Sequence, residues 1–216
     1  MKSNSYYYCK VCGTQSTQWM GKCPSCNSWN SFEQEVVLRD EKKKGNSSVV
    51  TRKTTPKPLS EISTVDLPRL ASGSIEFDNV LGGGIVPGSI TLLGGEPGIG
   101  KSTLLLQIAL RLKTKKILYI SGEESETQLK MRAQRLDNGD NAHCYILTET
   151  NTQEVFAQVK EVNPDIIIVD SIQTMQSSLI DSGAGSISQI KECSAEFQHL
   201  AKSTGTPVFL IGHITK

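Results

Sequence analysis

The chain contains no apolar run approaching the roughly 20 residues that a membrane-spanning helix requires, which excludes a helical transmembrane segment within its 216 residues. Its first ten residues, MKSNSYYYCK, lack the apolar stretch of a secretory signal, so the sequence reads as cytoplasmic. Aromatic residues are scarce, at 6%, and the absence of an internal repeat sets aside a repeat array. Nor is there a strong charge of either sign, the formal net charge being +1. That near-neutrality conceals an asymmetry. Residues 1–60 hold 10 Lys and Arg against 4 Asp and Glu, whereas residues 61–216 hold 13 against 18. A basic front on an acidic body suits either an arm that meets a polyanion or a solvated linker. The 37% hydrophobic and 21% charged shares are those of a soluble globular protein.

Composition divides the chain into three parts. Residues 1–32 carry four of the six cysteines, both tryptophans and three of the five tyrosines. Residues 33–58 (EQEVVLRDEKKKGNSSVVTRKTTPKP) are polar and charged, and such a composition buries too little apolar area to offset the entropy of ordering. They are expected to form a flexible basic linker. From residue 59 to 216 apolar runs alternate with amphipathic stretches. Strands are expected at 89–95, 116–122, 143–147, 165–171 and 208–213, with helices at 101–113, 124–136, 151–162 and 188–202. DIIIVDS (165–171) has the β-branched density of a central parallel strand. Alternation of this kind predicts an α/β fold with a mostly parallel central sheet and ligand chemistry at the strand C-termini.

Gly95-Glu96-Pro97-Gly98-Ile99-Gly100-Lys101-Ser102 fits G-x-x-x-x-G-K-[ST] at every fixed position, after an expected strand and before an expected helix. The glycines let successive backbone N–H groups turn toward phosphate oxygens, helped by the positive end of the helix. Lys101 would reach the β- and γ-phosphates of ATP, Ser102 would bind Mg²⁺ through its hydroxyl, and Thr103 would support the phosphates. Hydrolysis further needs a metal-orienting acid and a group that activates water. Asp170 ends the strand Ile166-Ile167-Ile168-Val169 and takes the first role, as a Mg²⁺ partner. Ser121-Gly122-Glu123-Glu124 follows a strand whose end is expected beside the phosphate loop. Its two carboxylates leave the base open: Glu123 is favoured, because Glu124 suits a helix start where the dipole favours an acid.

Cys9-x-x-Cys12 and Cys23-x-x-Cys26 lie ten residues apart. Thiolates two residues apart on a tight turn converge on one ion, so two such turns complete a tetrahedral Cys₄ zinc site. A thioredoxin-like redox pair would need a larger surrounding domain, and structural disulfides are disfavoured in a cytosolic protein. Four protein ligands leave no open position, so the zinc is structural. Trp19 and Trp29 are expected to cap so small a core, and Cys144 and Cys193 to pack as small core residues.

These residues resemble a family. GEPGIGKST, a glutamate after the second strand in SGEES, and VDSIQTM are similar to the RecA-like P-loop core shared by RecA, DnaB-type helicases and KaiC. The likeness is closer to the bacterial RadA (Sms) family, on three stretches: Trp19-Met20-Gly21-Lys22-Cys23-Pro24-Ser25-Cys26, Gly82 to Ser89, and Gly212-His213-Ile214-Thr215-Lys216. The resemblance implies an ATP-hydrolysing, DNA-dependent motor or helicase that binds single-stranded DNA and branch-migrates recombination intermediates in DNA repair. It implies a homo-hexamer, single-stranded and branched DNA and the RecA recombinase as partners, His213 at the γ-phosphate sensor position, and Gln176–Gln189 as a first DNA-binding loop. That stretch has the Gly and Ser of a mobile backbone but no Lys or Arg, Lys191 being the nearest cation. The family pattern continues beyond Lys216, so the sequence resembles a C-terminally truncated form, for which nucleotide binding with weak turnover is expected. The alternative readings are an ATP-gated adaptor built on the zinc module and a KaiC-like regulatory ATPase without motor activity.

Overall fold

The computed structural model describes residues 4–9, 15, 16, 18–24, 27–37, 58–61, 68–137 and 141–214. The expectations for Cys12, Cys26, residues 38–57, Thr215 and Lys216 fall outside the described residues.

The N-terminal part is a small antiparallel sheet of β1 (Asn4–Cys9), β2 (Gln15–Ser16) and β3 (Phe32–Val37), in the order β2-β1-β3. β3 pairs with β1 along its whole length, from Cys9↔Phe32 to Asn4↔Val37. Its backbone therefore carries the sheet five residues past the linker boundary expected at residue 33. The glutamates of FEQEVV gave that stretch a linker's composition, although Val36 and Val37 favour a strand. Cys9, Cys23 and Phe32 form the buried centre.

The larger part is a five-stranded, wholly parallel sheet in the order β4-β8-β7-β5-β6. Its strands are β4 (Ile90–Gly95), β5 (Ile117–Ser121), β6 (Cys144–Leu147), β7 (Ile166–Asp170) and β8 (Val208–His213). The helices are α1 (Ile75–Val80), α2 (Lys101–Arg111), α3 (Glu126–Asp137), α4 (Thr152–Val162) and α5 (Ile187–Thr204). Strand alternation divides the core in two. Tyr119, Ile168 and Phe209 pack with Leu105 of α2 and Leu129 of α3, while Ile120, Val169 and Leu210 pack with Val155 of α4 and Phe197 of α5. With helices on both faces, the inner strands β5 and β7 are buried at every residue, which explains why they read as unbroken apolar runs.

Local chemistry sets the ends of these elements. Asn151 caps α4, its side chain accepting from the backbone of Gln153 and Glu154, and Asn163 closes the helix in a left-handed conformation at φ 47°. Ser186 caps α5 and Gly205 ends it. The sheet order adds what local pattern leaves open. β5 is not the neighbour of the phosphate-loop strand, because β8 and β7 lie between it and β4. The apolar run VFLIGH inserts there, and strand order is a long-range property that local pattern does not encode.

Candidate nucleotide site and metal module

Parallel pairing brings four strand ends to one edge. Gly95 of β4 stands opposite His213 of β8, and Ser121 of β5 opposite Asp170 of β7. The turn from β4 to α2 is the glycine-rich loop, in which Gly98 (φ 80°) and Gly100 (φ 97°) occupy backbone conformations that L side chains rarely adopt. Glu96, Pro97, Gly98, Ile99 and Gly100 are exposed, so the cradle is open to solvent. Thr103 lies in the first turn of α2.

Lys101 is only 7% exposed. Its Nζ donates to the carbonyls of Gly95 (2.9 Å) and Glu96 (2.8 Å), folding the ammonium into its own loop. Ser102 Oγ donates to Asp170 Oδ1 at 3.0 Å, so the hydroxyl and carboxylate expected to share a metal are already neighbours. The other oxygen, Oδ2, accepts from the Tyr119 hydroxyl at 2.5 Å. Burial, reinforced by the adjoining Asp170 charge, pushes the Tyr119 phenol far above its ordinary value, so it stays a donor.

A second chain of contacts joins the loop to Glu123. Lys101 Nζ lies 3.4 Å from His213 Nδ1, and His213 Nε2 lies 3.2 Å from Glu123 Oε1. An ammonium can only donate, so a hydrogen bond at the first contact is one that Nδ1 accepts, and Nε2 then faces the Glu123 carboxylate as a donor. Glu123 Oε1 also accepts from Ser171 Oγ at 2.6 Å. The β5 end is held close to the turn that follows β7 at Gly122, where an added Cβ would fall 2.1 Å from Thr174 Oγ1. Glu124 is drawn elsewhere: its carboxylate pairs with Arg132 of α3, and its N–H donates to Ser121 Oγ. The two adjacent glutamates thus face different surroundings.

Tyr119, Ser171 and Gln173 complete this arrangement and were missed by sequence reasoning. Gln173 Nε2 donates to the His213 carbonyl at 3.1 Å. The one available signal was a tyrosine inside an otherwise aliphatic buried strand. The 176–186 stretch departs from expectation. Buried Gln189 accepts from Ser177 N (2.8 Å) and donates to the carbonyls of Ser177, Ile180 and Ser182. Gln153 Oε1 accepts from Ser178 N at 2.9 Å. The first half of the supposedly mobile loop is therefore pinned, and residues 187–189 belong to α5.

In the small sheet Cys9 and Cys23 are fully buried. Cys9 Sγ lies 3.2 Å from Ser31 Oγ. Cys23 O accepts from Asn27 N and Cys23 N donates to Ser28 O, both at 2.9 Å, which makes a tight turn after this cysteine. Two buried thiols in one cluster and a knuckle turn fit a thiolate metal site. Elsewhere, burial raises Cys144 to about 11, and burial with the Glu196 and Glu192 charges raises Cys193 to about 12. Both pack as thiols. Tryptophan placement is a correction: Trp19 is 54% and Trp29 71% exposed, and Phe32 fills the centre instead.

Comparison with known proteins agrees with both parts. A family model described as an AAA domain matches residues 55–216, and one described as a rubredoxin metal binding domain matches residues 7–34. The chain is similar over its whole length to proteins named DNA repair protein RadA. It is 44% identical to that of Bacillus subtilis over 219 residues, 45% to that of Halalkalibacterium halodurans over 220, and 44% to that of Listeria monocytogenes over 218. These alignments cover 48%, 48% and 47% of the relatives, so the chain spans about half the length of the curated proteins it matches. Among the described residues no helix is long and apolar enough to cross a membrane.

Proposed function

The chain belongs to the AAA domain family, and from that premise we propose that it is the ATP-hydrolysing core of a RecA-like DNA repair ATPase working in the cytoplasm. The observation that carries this reading is the convergence of Lys101, Ser102, Asp170, Glu123 and His213 at one sheet edge, linked by contacts of 3.0 to 3.4 Å. The loop N–H groups from Gly95 to Thr103 cradle the phosphates of ATP, and Lys101 leaves the Gly95 and Glu96 carbonyls to neutralise the β- and γ-oxygens. Ser102 and Asp170 would hold Mg²⁺, which would supply charge neutralisation at the phosphates. Glu123 takes the proton of the attacking water, and His213 senses the γ-phosphate through its contact with Lys101. The pairing of Glu124 with Arg132 supports giving the base role to Glu123.

In this reading the protein is a hexameric motor on single-stranded and branched DNA that processes recombination intermediates together with the RecA recombinase. Cys9, Cys12, Cys23 and Cys26 hold one structural Zn²⁺. Similarity to proteins named DNA repair protein RadA supports the repair context. The adaptor reading draws on one observation, the stretch 176–186, which is cation-free and pinned over residues 177–182 and so favours polyanion contact elsewhere. Phosphate release with and without single-stranded DNA separates the two: stimulation by DNA supports the motor, and nucleotide binding without any response to DNA supports the adaptor.

A further inference from the structure

We infer that the exposed face of the zinc module is a stacking platform for single-stranded nucleic acid, built from Trp19, Trp29 and Lys22. The inference rests on the reading of the chain as a DNA-engaging ATPase and gives part of that engagement an address.

Trp19 and Trp29 expose 54% and 71% of their surface, although Cys9, Cys23 and Phe32 supply a buried centre without them. Tryptophan is usually well covered, so two open indoles on so small a module call for a partner. The backbone brings their two segments together. Lys22 pairs with Trp29 as an antiparallel bridge, Asn30 N donates to Gly21 O at 2.8 Å, and the Trp19 ring lies over Gly21. The Lys22 ammonium sits 5.6 Å from the centre of the Trp29 ring. Beside them Gln18, Asn27 and Asn30 are exposed and offer neutral amide donors.

Charge identifies the occupant. Residues 1–58 contain ten Lys and Arg against four Asp and Glu, two of the acids being Glu33 and Glu35 of β3. A net basic N-terminal region with two exposed π-faces and a cation beside one of them suits a polyanion that displays flat bases. A duplex hides those faces in its stack, whereas a single strand presents them, and every base has one, so the preference is for single strands of any sequence. Lys22 meets the phosphates between stacked bases. The core's 176–186 stretch has no Lys or Arg, which leaves this module to supply cations that the loop lacks.

The chain has two tryptophans, and both lie on this surface, so indole emission reports on the platform alone. Titrating the full zinc-loaded chain with an oligo(dT) 20-mer at low salt should quench that emission, with a duplex of equal length far weaker. Anisotropy of labelled oligo(dT) should show about a tenfold loss of affinity for Trp19→Ala or Trp29→Ala, with Phe at either position restoring most of it. Lys22→Ala should lower the log–log salt slope by about 0.7. Zinc content and the folded spectrum control for misfolding, and the Phe variants keep the test informative where an Ala variant does not fold. Oligo(dT) binding with unchanged indole emission, or tryptophan variants that bind as the parent does, overturns the platform. Emission that responds to protein concentration and not to oligo(dT) overturns it in favour of a protein interface. DNA-stimulated phosphate release persisting in those cases would leave the ATPase reading standing while the platform falls.

Discussion

Tyr119→Phe removes a single oxygen from a strand that is buried at every residue, so its effect follows directly from the geometry. The tyrosine is 0% exposed and Asp170 is 3% exposed, with the two joined by a 2.5 Å hydrogen bond. Ser102 occupies the other carboxylate oxygen, so without the phenol Oδ2 loses its side-chain donor in a site nearly closed to water. A hydrogen bond to a charged group contributes about 1.5–3 kcal/mol, and a buried orphaned acceptor costs a similar amount. Taking about 2 kcal/mol, nucleotide-free protein at pH 7.5 should melt roughly 4–8 °C lower in Tyr119→Phe. There is an alkaline signature too. Because the folded phenol is held well above its ordinary value of 10.0, its stabilisation is complete below pH 10 and declines as pH rises further, where the unfolded chain loses a proton that the folded chain keeps. Urea denaturation from pH 7.5 to 11 should therefore show a slope that is shallower in the variant by up to about 1.4 kcal/mol per pH unit. A variant within about 0.5 kcal/mol of the parent at pH 7.5, with an unchanged alkaline slope, would refute the claim that Tyr119 holds the carboxylate.

Other expectations follow from single contacts. Gln189→Ala deletes four hydrogen bonds to the 177–182 backbone and should cost roughly 2–3 kcal/mol, with new proteolytic cleavage confined to that loop. Persistent protection there would show that the side chain is not what pins it. Stripping zinc with a chelator under reducing conditions should unfold the small sheet and change the near-ultraviolet tryptophan signal while the larger sheet keeps its melting transition; an unaltered tryptophan signal would remove zinc from the account. Cys193 and Cys144 should resist thiol reagents in the folded chain at pH 8, because burial holds both above the usual thiol range. Rapid modification without unfolding would contradict that placement.

The parts of the site that were legible in the sequence are those whose chemistry is local. A glycine-rich turn between a strand and a helix, ending in Lys101-Ser102, is written in eight consecutive residues. Asp170 announces itself by ending a β-branched run, and Asn151 by its capping position. The missing parts depend on contacts between distant segments. Glu123 and Glu124 are adjacent in sequence, and what separates them is Arg132 of α3 on one side and Ser171 with His213 on the other. Tyr119 and Asp170 meet across 51 residues only because β5 and β7 are neighbours. Composition misled in both directions: Gly and Ser suggested mobility for a loop that Gln153 and Gln189 fasten, and indole hydrophobicity suggested burial for Trp19 and Trp29.

The central claim is that Glu123, and not its neighbour, activates water at a site formed by Lys101, Ser102 and Asp170. Single-turnover hydrolysis of Mg·ATP, with protein in excess and time courses long enough for slow chemistry, compares the parent with Glu123→Gln and Glu124→Gln. Glu123→Gln should keep ATP affinity within a few-fold and lose about 10²–10⁴ in rate, while Glu124→Gln should hydrolyse within a few-fold of the parent. A Glu123→Gln rate equal to the parent's, or a collapse confined to Glu124→Gln, would contradict that claim.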